Sequence, residues 1–220
     1  MKMFLIIAII LTGFTWSFAQ NEQSPIVEKE FDYKNWTLKD VRTSRELELR
    51  DLTKGKKLVI AVYFAPWCPN WRHDAPFLER FYEKYKANGL EIVGIGEYDP
   101  VDSIKNSLDA LKITFPVVYE STDRAEKQKT THYDYRKMTG DARNWGSPWY
   151  VLLDPSALEK KGDTVTKRTR VINGEMIETE GEKFIREKLG LPAEEVKSVA
   201  DKGKLEVCEP DKKTADLKKP

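Results

Sequence analysis

The run Leu58-Val59-Ile60-Ala61-Val62-Tyr63-Phe64, followed at once by Ala65-Pro66-Trp67-Cys68-Pro69-Asn70-Trp71-Arg72, decides the fold. A continuous apolar run rich in β-branched and aromatic side chains predicts a strand buried on both faces. Further on, Phe77, Leu78, Phe81, Tyr82 and Tyr85 recur at helical spacing, with Glu79, Arg80, Glu83 and Lys84 on the opposite side. A helix therefore follows, and Asn88-Gly89 stops it. Cys68 falls between the strand end and the helix start. A thiol placed there lies at the positive end of the helix, beside backbone N–H groups with no intrahelical partner. That favours the thiolate, which is the nucleophile and metal ligand. Arg72, one turn along, adds positive field. Strand-end placement among Trp, Pro and Asn predicts a sulfur that is at least partly exposed, rather than an inert buried cysteine.

Outward from this segment, strands and helices alternate. Leu90 to Ile95 is a second buried strand, and Asp99-Pro100 opens a helix with Ile104, Leu108 and Leu111 as its buried stripe. Thr114 to Tyr119 is a further apolar stretch, and residues 121 to 146 hold one helix and a loop. Trp149 to Leu153 and Arg168 to Ile172 are strands; Asn173-Gly174 signals a hairpin with a short strand pairing back. Glu182 to Leu189 is the last helix. Upstream, Trp36 to Leu52 reads as a strand or hairpin on a sheet edge, and residues 20 to 35 as a polar N-terminal arm. The pattern predicts an α/β domain over 36–192, with a central mixed β-sheet, helices on both faces and an N-terminal β extension. Residues 193–220 are charged and poor in large apolar side chains, the composition of a partly disordered tail.

The chain has 220 residues, 37 Lys plus Arg and 36 Asp plus Glu, for a net charge of +1. No global field points to nucleic acid. Lys2, the apolar Met3 to Phe14 and the small-residue ending Ser17-Phe18-Ala19 predict a signal peptide over 1–19, cut after Ala19. The apolar run is shorter than the ~20 residues of a spanning helix. This predicts export to the periplasm or cell envelope, with membrane attachment only if the segment stays uncleaved. Two cysteines are present, Cys68 and Cys208.

The segment Trp67-Cys68-Pro69-Asn70-Trp71-Arg72-His73-Asp74-Ala75-Pro76 resembles the thioredoxin superfamily, and within it the exported TlpA/ResA-like thiol-disulfide oxidoreductases. That branch carries Trp-Cys-Pro-x-Cys-Arg-x-Glu-x-Pro before an aromatic-rich helix, and Pro76 stands at its helix-kinking proline. A second signature, Gly-x-Pro before a strand ending in Asp, is matched by Gly146-Ser147-Pro148-Trp149 to Asp154. The resemblance covers roughly Trp36 to Leu191. It implies a thioredoxin fold, a nucleophilic Cys68 in a turn shaped by Trp67, Pro69, Asn70, Trp71 and Arg72, and a cis Ser147–Pro148 bond facing the substrate. It also implies protein or peptide thiols and disulfides as partners, with an envelope redox partner.

The chain departs from that family pattern at two positions. Trp71 stands where the family keeps its second cysteine, so Cys68 cannot resolve a mixed disulfide locally. Val62 stands where thioredoxin keeps a buried carboxylate. Three readings stay open. Cys68 works as a monothiol, resolved by an outside thiol or by Cys208. Cys208 lies roughly 15 residues past the domain end at 192, and a flexible chain of that length reaches ~20 Å or more. Alternatively the domain is a redox-inactive peptide-binding module, its groove lined by Trp67, Trp71, Trp145 and Trp149, about half of them exposed. The third reading is a peroxiredoxin-like peroxidase. That relative places Thr or Ser three residues before its cysteine, and here Ala65 stands there. No cofactor is expected. Cys68, His73 and His132 match no standard metal-ligand spacing, and His73 reads as a surface residue and His132 as a loop residue.

Overall fold

The computed structural model describes residues 22–192. The expected signal segment and the tail from 193, Cys208 included, lie outside these described residues. β1 (Gln23–Ser24) and β2 (Val27–Lys34) lead into a hairpin of β3 (Thr37–Asp40) and β4 (Glu46–Glu48), then a short helix α1 (Leu49–Thr53). β5 (Leu58–Phe64), α2 (Pro69–Tyr85), β6 (Leu90–Gly96), α3 (Val101–Ala110), β7 (Val117–Tyr119) and α4 (Thr131–Thr139) follow. β8 (Trp149–Leu153), β9 (Thr164–Ile172), β10 (Glu175–Met176) and α5 (Glu178–Leu189) complete the described chain.

Eight strands form one sheet in the order β2-β9-β8-β5-β6-β7-β3-β4. β5 pairs in parallel with β6 and antiparallel with β8, so the sheet is mixed. Every residue of β5, β6 and β8 is buried, as expected of strands covered on both faces. Alternate residues of β5 feed two cores. Leu58, Ile60, Val62 and Phe64 pack with Phe77, Leu78 and Phe81 of α2, with α3 and α5 on the same side. Val59, Ala61 and Tyr63 pack with Tyr33 of β2, Tyr135 of α4 and Trp149. This is the thioredoxin fold with its N-terminal β extension. Among the described residues no helix is long and apolar enough to cross a membrane.

Two local expectations are corrected. The polar arm expected over 20–35 contributes an eight-residue edge strand, β2, antiparallel to β9. Its Val-Glu-Lys-Glu-Phe-Asp-Tyr-Lys alternation buries Phe31 and Tyr33 and turns the charges outward. The short strand after Asn173-Gly174 does not pair back on β9. β10 runs parallel to β1, with Gln23 opposite Glu175 and Ser24 opposite Met176.

Candidate active site

Phe64 ends β5, and the chain tightens at once, with the Cys68 N–H donating to the Ala65 carbonyl at 3.0 Å. Cys68 is the N-cap of α2, extended at φ −71° and ψ 126°, and Pro69 occupies the first turn. Proline belongs there because its missing N–H would have no intrahelical partner in any case. The sulfur is thus held at the positive end of a 17-residue helix.

The second half of the site is the loop before β8. Its Ser147–Pro148 bond is cis. The Ala65 N–H donates to Ser147 Oγ at 2.8 Å, and the Ser147 carbonyl oxygen lies 3.2 Å from Cys68 Sγ. Two cation-bearing elements fix this loop. Arg143 donates to the Pro148 carbonyl at 2.8 Å and reaches the Ser147 carbonyl at 3.4 Å. Its guanidinium is paired with Asp141 at 2.8 Å and Glu22 at 3.2 Å. Behind the loop, Gly146 has φ +59°, and a Cβ there would fall 2.0 Å from the Arg136 guanidinium, so only glycine fits. His132 Nε2 lies 3.2 Å from the Gly146 carbonyl, and Nδ1 lies 2.8 Å from the Tyr98 hydroxyl. A carbonyl only accepts, which assigns the proton to Nε2 and leaves Nδ1 accepting from Tyr98. Burial holds the imidazole well below the usual histidine range, aided by the positive charges of Arg136 and Arg143.

Several site expectations meet different outcomes. Cys68 and the Ser147-Pro148 loop are brought together as the motif pair implies. The expected exposure of the sulfur is corrected: Cys68 is 0% exposed and held in a disulfide. The chain's other cysteine, Cys208, lies outside the described residues. Trp71 is fully buried and stacks on Phe64, ring centroids 3.9 Å apart at 19°. It fills the core at the position of the missing thiol. Trp149 is likewise buried, while Trp67 and Trp145 are half-buried and meet edge to face at 5.1 Å. Arg124 covers the Trp67 ring and Lys127 the Trp145 ring. Asn70 donates to Glu22. Arg72 is exposed and donates to the Pro66 carbonyl at 3.4 Å; it is Arg143 that contacts the carbonyl beside the sulfur. Pro66, Trp67, Arg72, Ser103 and Asn106 line a groove of about 340 Å³.

His132 is not a loop residue but a buried member of α4. Its place in the site, like that of Arg143 and of the Ser147 hydroxyl, escaped sequence reading. A lone His, Arg or Ser amid a polar stretch carries no periodic signal, and contacts over long sequence separations cannot be read from spacing.

The AhpC/TSA family profile matches residues 31–144. The thiol-disulfide oxidoreductase ResA of Bacillus subtilis (strain 168) is 28% identical over 120 residues, 54% of this chain and 65% of that protein. The match therefore leaves about a third of that relative uncovered. Among solved structures, a thiol:disulfide interchange protein of the thioredoxin family from Chlorobium tepidum TLS superposes with TM-score 0.50 at 21% identity, covering 74% of this chain and 98% of that one. A DsbF homologue from Corynebacterium diphtheriae gives TM-score 0.51 at 16% identity, covering 73% and 92%.

Proposed function

Because the chain belongs to the AhpC/TSA family, we propose that it is an exported thiol-disulfide oxidoreductase of the cell envelope that works through Cys68, with Cys208 as its resolving thiol. The observation that carries this reading is the seating of Cys68 Sγ at the N-cap of α2, 3.2 Å from the Ser147 carbonyl of the cis-proline loop. Cys208 is proposed as the resolving thiol because it is the sequence's second cysteine.

In the proposed cycle the Cys68 thiolate attacks one sulfur of a protein or peptide disulfide. The substrate S–S bond breaks, one substrate thiolate leaves, and a mixed disulfide with Cys68 forms. The Cys208 thiolate then attacks the Cys68 sulfur, releasing the second substrate thiolate and closing the Cys68–Cys208 bond. The substrate gains two electrons and two protons and the cysteine pair loses them; an external envelope dithiol restores the pair. The helix terminus stabilises the Cys68 thiolate, as the attacking group in the first step and as the group set free when the external dithiol reopens the Cys68–Cys208 bond. The groove beside Trp67 and Arg72 supplies a surface for the flanking peptide.

Peroxidase chemistry is a poorer match. Ala65 offers no hydroxyl, and its N–H is already donated to Ser147. The binding-module reading draws on two observations, the complete burial of Cys68 and the core position of Trp71.

The test uses full-length mature protein, reduced and freed of reductant, then exposed to glutathione disulfide. Cys208→Ser is expected to accumulate glutathione on Cys68. Wild type returns to an internal disulfide, and Cys68→Ser forms no adduct at position 68. Peptide mapping without reductant should find Cys68 joined to Cys208. Both thiols free after purification without reductant, or a reduced Cys68 reacting no faster than free cysteine at neutral pH, would leave the binding module as the better reading.

A further inference from the structure

Beyond the thiol pair, α2 carries a second group of ionisable side chains that faces β10. His73 Nδ1 lies 3.1 Å from Asp74 Oδ1 and 3.8 Å from Glu175 Oε2. One donor atom from each of the three residues lies within 4.8 Å of the other two. Asp74 is fully buried, and its Oδ2 is already occupied, accepting from the Tyr150 hydroxyl and from the Met176 N–H at 2.9 Å. That leaves Oδ1 to face His73. Glu175 is also 0% exposed, and neither of its carboxylate oxygens has a hydrogen-bond partner. Its backbone has no such deficit, since the Glu175 N–H donates to the Glu22 carbonyl at 2.9 Å. Arg143, the nearby cation, is engaged by Asp141 and Glu22. A buried acidic side chain whose two oxygens accept no hydrogen bond, with only the His73 ring at ion-pair distance, is rare and costly, and calls for an explanation.

We propose that His73 Nδ1, Asp74 Oδ1 and Glu175 Oε2 form a site for one divalent first-row cation, of which Zn²⁺ is the representative. Atoms bonded to such an ion at ~2.1 Å stand roughly 3–4 Å from one another, which matches the separations of 3.1 and 3.8 Å from His73. An imidazole nitrogen with two carboxylates suits Zn²⁺ better than the all-oxygen shells of Ca²⁺ or Mg²⁺. The two carboxylates balance the charge of a dication. The His73 side chain is 34% exposed, so the fourth position opens to water. Tyr150 and Met176 hold Asp74 from behind, the arrangement that orients a ligating carboxylate. An ion there clasps α2 to β10 and so to the β1–β10 pair.

The site uses neither cysteine, so it stands or falls apart from the thiol reading. The test titrates tag-free, oxidised, full-length mature protein, stripped with EDTA and desalted, with ZnCl₂ by calorimetry. Uptake is expected to saturate at one equivalent and to raise the melting temperature. His73→Ala and Glu175→Gln should each weaken binding about 10- to 100-fold or more, and Cys68→Ser should leave it unchanged. His73 sits at the solvent edge, so its variant separates loss of a ligand from loss of the fold. Circular dichroism of both metal-free variants gives the same control. No stoichiometric uptake by wild type, uptake unaffected by both variants, or uptake lost in Cys68→Ser would overturn the proposal.

Discussion

Cys68 Sγ and the Ser147 carbonyl oxygen are 3.2 Å apart although 79 residues separate them in the chain. Ser147 also takes the Ala65 N–H on its hydroxyl, so one residue meets the reactive turn at both of its ends. The thiol's position is therefore set by a loop from the far side of the sheet as well as by its own helix.

Removing that hydroxyl isolates a buried donor. Ser147→Ala is expected to lower the stability of the oxidised protein by about 1–3 kcal/mol, the cost of an unsatisfied buried N–H. Urea denaturation measures it. A loss well under 1 kcal/mol would mean that the Ala65 N–H finds another acceptor.

Restoring the family's second cysteine is not expected to restore a simple dithiol enzyme. Trp71 is fully buried and stacked on Phe64, so Trp71→Cys removes most of a large core side chain. A loss of about 3–5 kcal/mol follows from the cavity and the lost transfer energy. Thermal unfolding of Trp71→Cys beside Trp71→Phe checks this, with the phenylalanine variant retaining most of the stability. A cysteine variant as stable as wild type would show that the site collapses around the gap.

Arg143 makes a demand that lysine cannot meet. It serves Asp141, Glu22 and the carbonyls of Ser147 and Pro148 at once, and a single ammonium lacks that fork of donors. Arg143→Lys should keep the charge yet cost about 1–3 kcal/mol. In the reduced state it should also speed alkylation of Cys68, because the loop that covers the buried sulfur loosens. Unchanged stability and alkylation rate would remove Arg143 from the site.

The parts of the fold legible in the sequence are those that repeat. The β5 run, the α2 stripe and the Trp149–Leu153 strand announce themselves by unbroken or periodic burial. β2 alternates as strictly, but its charged outer face resembles a solvated arm. β10 is two residues long and takes its partner from β1 at the other end of the chain, which no local pattern encodes. At the site, the motif identifies Cys68 and Pro148, while Arg143 and His132 reach the loop through contacts with backbone carbonyls that no motif spacing announces. The burial of Cys68 follows from tertiary packing that a strand-to-helix junction does not reveal.

His132 supplies a pH dependence of definite sign. It is fully buried, stacked on Tyr63 at 5.0 Å, bonded to Tyr98 and Gly146, and lies in the field of Arg136 and Arg143. Its native pKa is well below the ordinary histidine value, with burial the chief cause. Below about pH 6.5 the unfolded chain takes up a proton that the native ring refuses, so stability is full above that pH and falls as the medium is acidified, by up to about 1.4 kcal/mol per pH unit. Glu97 pulls the other way. Burial raises its pKa well above the ordinary range, so its contribution is present at low pH and is lost as pH rises through the native value. Comparing wild type with His132→Phe cancels Glu97 and isolates the histidine. At pH 7.5 the variant should be clearly less stable, since the Gly146 carbonyl loses the imidazole and the Tyr98 hydroxyl is left with the longer contact to Thr130. By pH 5 the gap should shrink, because only wild type gives up the histidine's contribution. Urea midpoints at pH 7.5, 6.5, 5.5 and 5.0 read the difference; parallel curves would show that the native ring protonates freely and that the neutral tautomer bridging Tyr98 and Gly146 is not what holds the cis-proline loop.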